Sequence, residues 1–266
     1  MRTIAWRKIG SVALLRLTVA SVALVAAGVS TAGPILSTTD DAYSANDSNR
    51  GPTVGGDRNE ASAFFEVRHN VAPRKKIGYV KYNISGIDPG IFATATLSGG
   101  FSTTAQDGAG VWNIYGLNDG ETNLDDVPDG SFGEANWTEG GLTYSKGLGV
   151  DVTVPLADTS LGLDLTEITL LGQITLPGDA PFQSNTTALP LGAFLNADTN
   201  NVVTFLIADA NFAGTEWRVT ARENTADGSA DTGGVLLSFV PEPASVCLML
   251  VGMLGAVGLW THRRGR

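Results

Sequence analysis

The sequence is poor in the residues on which most catalytic and metal chemistry depends. In 266 residues it has one cysteine, Cys247, and two histidines, His69 and His262. A lone cysteine excludes an intrachain disulfide. His262 lies in the carboxy-terminal tail, so a Ser-His-Asp triad or a zinc site would have to be built on His69 alone, which all but excludes both. His69 itself is expected to be solvated, in the polar stretch VRHNVAPRKK. Basic residues are also scarce, 17 against 27 acids, for a net charge of −10. Helical periodicity is nearly missing, apart from a short turn expected around residues 189–195.

The two ends carry the long apolar runs. Arg2, Arg7 and Lys8 precede an apolar stretch from Leu17 to Val29 that closes in the small residues Ser30-Thr31-Ala32-Gly33. A basic head, an apolar middle and a small-residue site form a secretory signal peptide, with cleavage expected after Ala32 or Gly33 and residues 1–33 removed. An uncleaved anchor is the alternative, but Arg16 leaves the uninterrupted run short of a usual span. At the other end, residues 244–260 contain no charge, and as a helix they would reach about 25 Å, close to the thickness of a bilayer core. Arg263, Arg264 and Arg266 follow, so the positive-inside rule leaves the last residues in the cytoplasm and everything before Pro241 outside. A buried core helix is disfavoured by Gly252, Gly255 and Gly258 and by the lack of a polar face.

Val240-Pro241-Glu242-Pro243, the apolar run and the terminal arginines, in that order over the last 27 residues, resemble the PEP-CTERM sorting signal of exported bacterial surface proteins. The resemblance implies that an exosortase, an integral membrane cysteine protease, recognises Pro241, Glu242 and Pro243 and removes residues 241–266, in bacteria that make extracellular polysaccharide. The two prolines would keep the segment before the helix extended and accessible. The expected location is thus an inner-membrane-anchored precursor and then the cell surface or surrounding matrix.

Setting aside Arg2, Arg7, Lys8 and Arg16 at one end, and Arg263, Arg264, Arg266 and Glu242 at the other, leaves ten basic and 26 acidic side chains, net −16. Such a body is a poor partner for nucleic acid or an anionic membrane surface. Residues 34–240 read as one domain of short strands with period-two alternation, separated by Gly, Asn, Asp and Pro. Val150, Val152, Val154 and Leu156 share a face, as do Val80, Tyr82 and Ile84; Trp217, Val219 and Ala221; and Ile168, Leu170, Ile174 and Leu176. Further strands are expected at 61–67, 92–97, 111–117, 202–207 and 235–239. The fold class is all-β, and many short strands with glycine-rich turns argue for a β-sandwich.

KKIGYVKYNISGI, VWNIYGLNDG, ANWTEGGLTYSKGLG and RVTAREN, in this order, resemble the motifs of DNRLRE-type domains, with Trp137-Thr138-Glu139 and Leu142-Thr143-Tyr144 as the tryptophan-acid and Leu-Thr-aromatic signatures. The likeness covers most of residues 38–240. It implies a jelly-roll β-sandwich related to carbohydrate-binding modules, some of which bind acidic polysaccharides. Ser145-Lys146-Gly147 stands where the family has Asn-Ala-Pro, and the last strand lacks its preceding proline, so neither loop carries over as a binding element.

Three constellations could carry chemistry. Arg74, Lys75, Lys76 and Lys81 lie beside Tyr79, while Arg218 and Arg222 share a face of another strand. Were those strands neighbours, Tyr79, Lys81, Arg218 and Arg222 could grip carboxylated sugars by charge-assisted hydrogen bonds and stacking. The alternative is that these cations are cross-strand partners of acids such as Glu66 and Glu216. Asp119, Glu121, Asp125, Asp126 and Asp129 crowd the turn-rich stretch 118–130 and are weak calcium ligands; the spacing is not that of an EF-hand, and no cofactor is otherwise expected. Glu134, Glu139, Glu216 and Glu223 could in principle supply a glycosidase pair. Trp112, Trp137 and Trp217 divide between structural and binding roles in the same way, with Trp217 expected on the core face and Trp137 at a loop rim. The reading with most support is a non-enzymatic, exported structural or adhesive β-sandwich whose partners are the export machinery and exosortase. A module binding acidic extracellular polysaccharide comes second and a polysaccharide-cleaving enzyme third.

Overall fold

The computed structural model describes residues 33–46, 64–69, 75–99, 101–102, 110–119, 134, 136–138, 142, 148–151, 160–176, 182–183, 189–211, 216–222 and 234–240. The protein is all-β. Among the described residues twelve strands form two antiparallel sheets, joined by one 3-10 helix (Pro89–Thr94) and one α-helix, α1 (Leu191–Ala197). Pro34–Phe239 forms one compact unit. The smaller sheet runs β1 (Ile35–Ser37), β12 (Leu236–Phe239), β5 (Ala95–Gly99), β9 (Phe182–Gln183). The larger contains β6 (Phe101–Ser102), β11 (Glu216–Thr220), β3 (Phe64–Arg68), β4 (Lys75–Asn83), β10 (Val202–Asp209), β7 (Gly110–Leu117) and β8 (Ile168–Leu176), in that spatial order.

β4 is the hub. β2 (Asp40–Asn46) pairs with its whole length on one edge, Asp40 opposite Lys81 and Asn46 opposite Lys75. On the other edge β10 takes Gly78–Asn83 and β3 takes Lys76 alone, so the ladder forks there. Successive side chains on a strand point to opposite faces. Val80, Tyr82 and Ile84 therefore enter a first core, as the alternation predicts, together with Trp112, Ile114, Val203, Phe205, Ile207 and Val219. Leu97, Leu237 and Phe239 of the smaller sheet join the same cluster, so this core lies between the sheets.

The opposite face of the larger sheet is covered too. Ile77 and Tyr79 of β4, Tyr115 and Leu117 of β7, and Leu206 and Ala208 of β10 meet Trp137, Leu142, Leu148, Val150 and Leu161, which come from the connection between β7 and β8. β4 is consequently buried on both faces, and every residue from Ile77 to Tyr82 is inaccessible.

Two strand expectations need correction. Phe92 to Leu97 does not start as a strand: Asp88 accepts a hydrogen bond from the Gly90 backbone N–H at 2.8 Å and Pro89 opens the 3-10 helix, so β5 begins only at Ala95. In β8, Ile168, Leu170 and Ile174 do not share a face. The ladder to β7 shifts register between Ile114 and Tyr115, a β-bulge that leaves Leu171 unpaired. Ile168 joins the second core, Leu171 and Ile174 the first, and Leu170 is 53% exposed. The helix expected near residues 189–195 is α1, where Gly192 lets the helix touch the 3-10 helix: a Cβ there would stand 2.6 Å from the Ala93 backbone.

Among the described residues no helix is long and apolar enough to cross a membrane. The signal-peptide run, the Pro-Glu-Pro motif, the apolar tail and the arginines after it lie outside the described residues, as do Val152, Val154 and Leu156.

Candidate functional site

The basic and aromatic residues expected to grip a glycan are not gathered on an open face. Tyr79 is fully buried in the second core, its hydroxyl donating to the Leu148 carbonyl at 2.9 Å and its ring edge-on to Trp137. Lys81 is 6% exposed. Its ammonium lies 2.8 Å from Asp40 on the neighbouring strand, 4.8 Å from the centre of the Trp137 ring, and donates to the Trp137 carbonyl. Trp137 is itself buried rather than at a rim, and its indole N–H donates to Thr204 at 2.9 Å. Thr204 stands directly opposite Lys81 in the ladder and donates on to the Glu134 carbonyl at 3.3 Å. This is a closed polar network inside an apolar cluster, where an unpaired member would carry a large desolvation cost.

Lys76 and Arg222 are engaged as well. Lys76 pairs with Glu66, the cross-strand alternative. Arg222 is partly buried; its guanidinium donates to the Thr39 carbonyl, while its backbone N–H donates to Asp41 at 2.7 Å. Arg218 lies on β11 opposite Glu66, and β3 separates that strand from β4, so the two strands of the expected grip are not neighbours. His69, expected to be solvated, is partly buried at the end of β3, where it helps hold down the proton affinity of Asp209.

The open concave feature lies instead where β7, β8 and α1 meet. A cavity of about 330 Å³ is floored by Leu117, Leu171, Phe194 and Val203, with Leu170, Ala193 and Ala197 on its walls. Gly116 makes the floor possible, because a Cβ there would fall 2.3 Å from the Phe194 ring. Phe194 also packs on Phe205, ring centres 5.5 Å apart, which ties the floor to the first core. The bulge in β8 falls at Leu171, which lines the cavity beside the exposed Leu170.

Three carboxylates border the cavity: Asp119 after β7, Asp198 after α1, and the buried Glu134. A turn over residues 198–201 arranges them. Asp198 accepts from the Asn201 N–H at 2.7 Å, and Asn201 adopts the left-handed φ of 65° that asparagine tolerates. Thr199 binds Asp119 through its backbone N–H and its hydroxyl. The Asn200 amide nitrogen then donates to both Asp119, at 2.8 Å, and Glu134, at 2.7 Å, so these two acids stand one nitrogen apart. Every donor is neutral. Burial pushes Glu134 up to about 7, with Asp198 and Asp119 adding repulsion against the hydrogen bond from Asn200. Asp198 is raised by burial first and by Asp119 as well.

Two carboxyl groups this close fall within the spacing of a retaining glycosidase pair. Here, however, the Asn200 amide fills the space between them, with both N–H groups committed and its oxygen bonded to the Val202 N–H at 2.7 Å. A glycosidic oxygen would have to displace it. The arrangement is suited to holding negative charge beside an apolar surface.

Asp119, a weak calcium candidate by sequence, organises the 198–201 turn through its carboxylate, and Asp125, Asp126 and Asp129 lie outside the described residues. Among the described residues no three His, Cys, Asp or Glu side chains are placed to hold a metal. Asp198, Asn200, Phe194 and Leu170 were not foreseen as site residues. The only sequence trace is Leu170-Leu171, an adjacent apolar pair that interrupts the alternation of its strand. No protein-family model matches the sequence, and no curated protein matches it.

Proposed function

We propose that this is an exported surface protein, sorted through its Pro241-Glu242-Pro243 tail, whose jelly-roll β-sandwich serves as a non-enzymatic structural or adhesive component of the cell surface or extracellular matrix. The observation that carries the reading is the internal use of Tyr79, Lys81 and Arg222: the few cations and aromatics that could bind a carboxylated polymer hold the fold together instead. Among the described side chains, what remains outward is acidic and offers an anionic polysaccharide no cationic face. Two sheets sharing one core, with the second core covering the far face, support the sandwich. The tail acts as an address: its apolar run halts translocation and its arginines keep the end inside.

The test is fractionation of cells making the full chain, with and without exosortase. Expected is a membrane-bound precursor without the protease and a shorter surface or matrix product with it. Recovery of the intact chain from the cytosol would sink the export reading. A glycan array of acidic polysaccharides should stay silent, and reproducible binding lost in Lys81→Ala would instead favour the polysaccharide-binding alternative.

A further inference from the structure

We propose that the cavity between α1, β7 and β8 binds a small organic cation, a protonated primary amine carried on a compact apolar body. The inference is independent of how the protein is exported.

The cavity, about 330 Å³, lies at the small end of ligand-binding pockets. It is a built feature. Phe194 is wedged between Gly116 and Phe205, and Leu170, next to the bulge at Leu171, is 53% exposed at the wall, so apolar surface stays open to water. Retained apolar surface of this kind, bordered by polar groups, is typical of an interaction site.

Charge selects the occupant. Among the described residues the lining includes Asp119, Glu134 and Asp198 and no lysine, arginine or histidine. Each carboxylate can accept about four hydrogen bonds, and those it makes come from Thr199, Asn200 and Asn201, which neutralise nothing. Among the described residues the one cation that acts on Glu134 is Lys81, as the weakest of the influences on it, and Lys81 is already paired with Asp40. An anionic ligand would meet a cavity whose ionisable lining residues, among those described, are all acids. A neutral apolar one would fill the floor and leave the charges as they are. An ammonium at the rim relieves the repulsion among the acids, while its apolar body covers Phe194, Leu171 and Leu170. The excess of acids elsewhere in the chain adds a long-range attraction for cations.

Such an amine could arrive as a free small molecule or as an amino-sugar unit of a polymer, and the probes separate the two. The full-length chain is titrated calorimetrically with phenethylamine, with the uncharged 2-phenylethanol, and with glucosamine. Phenethylamine should give saturable binding that is about tenfold or more tighter than 2-phenylethanol, since the pair differs by the charge, and that weakens severalfold when salt is raised to about 0.5 M. Competition by glucosamine would assign the amine to a sugar; no competition, with phenethylamine still bound, would assign it to a free amine. Ala193→Trp, on an exposed position of α1, fills the cavity without removing any of the hydrogen bonds described, and should abolish binding with an unchanged melting temperature. The proposal is overturned by equal affinity for 2-phenylethanol, by phenethylamine binding that survives Ala193→Trp, or by no saturable phenethylamine binding up to about 10 mM, a range that covers weak ligands.

Discussion

The two faces of the large sheet are buried by different means. The face toward the smaller sheet is closed by strands against strands, and its cluster is almost wholly apolar: Tyr82, Phe205, Ile207, Trp112, Leu237, Phe239. The far face is closed by the connection between β7 and β8, and there a charged lysine, a threonine, a buried glutamate and an indole N–H are threaded through the apolar side chains. Strand-on-strand packing satisfies its own backbone through the ladders, so the side chains between sheets need no polar atoms. Irregular segments bring carbonyls with no ladder partner, such as those of Trp137, Glu134 and Leu148, and each must be met by a donor. Lys81, Thr204 and Tyr79 are those donors. The difference suggests that the first core supplies bulk stability and that the second fixes the covering segment in one register.

The comparison breaks first if the inter-sheet core is not the main source of stability. Phe205→Ala should be the most damaging of these changes, lowering unfolding free energy by about 3–5 kcal/mol, the usual cost of removing a fully buried phenylalanine. Phe205 is completely buried and touches both Tyr82 and Phe194. Urea denaturation of the variant measures it. A loss no greater than that of Lys81→Met would show that the two faces had been ranked wrongly.

Lys81→Met comes next. It keeps much of the stem that lines Tyr79 and Trp137 but strips the partner from Asp40 and the donor from the Trp137 carbonyl. Since the Asp40 side chain is 22% exposed, water can take over part of its solvation, and the loss should be about 1–3 kcal/mol, below that for breaking a fully buried pair. Protection of the Trp137 region in hydrogen exchange should fall more than protection of β12. Uniform loss across both faces would argue against separate roles.

The alternation of apolar and polar residues made the first face legible: Val80, Tyr82 and Ile84 could be assigned inward, and the strands at Val111–Leu117 and Val202–Ile207 follow the same rule. The second face was not legible. Period two says only that Tyr79 and Lys81 share a side; it does not say whether that side meets water. A strand covered on both faces by unlike partners, one a sheet and one a connection, looks in sequence like a strand with a polar outer face. Lysine and tyrosine then read as surface groups, because their burial depends on Asp40 and on Trp137, residues 41 and 56 positions away by sequence number. The cavity was hidden for a similar reason. Its acids come from three places, Asp119, Glu134 and Asp198, and the glycine and bulge that open it show no period. Asn-Asp-rich stretches such as Asn196–Asn201 read as turns, and the turn is indeed there; only the fold shows that it draws two carboxylates together.

Acidity separates the faces further. Glu134 and Asp209 are both pushed up by burial, to about 7 and about 6. Each binds its proton more tightly folded than unfolded, so the folded state takes up protons between about pH 4 and 7 and stability falls as pH rises through that window. With allowance for solvent reaching Glu134 through the cavity, each contribution is of order 1 kcal/mol, a few degrees in melting temperature for a chain of this size. Melting temperatures taken from pH 5 to pH 8 should therefore decline, and Glu134→Gln should flatten the upper part of the decline. A melting temperature that climbs steadily over this range would contradict the burial of both acids.

The smallest effect tests the bulge. Leu170 and Leu171 are neighbours in sequence, and Leu171, left unpaired opposite the Ile114–Tyr115 step, joins Ile174 in the first core while Leu170 is exposed. If the register shift is real, Leu170→Ser should change stability by no more than about 0.5 kcal/mol, as surface substitutions do, whereas Leu171→Ala should cost about 2–4 kcal/mol. A regular strand would reverse the pair, because moving the register by one residue exchanges the faces of every side chain beyond it. Thermal unfolding of the two variants side by side decides the point, and an equal loss in both would remove the feature that opens the cavity's wall.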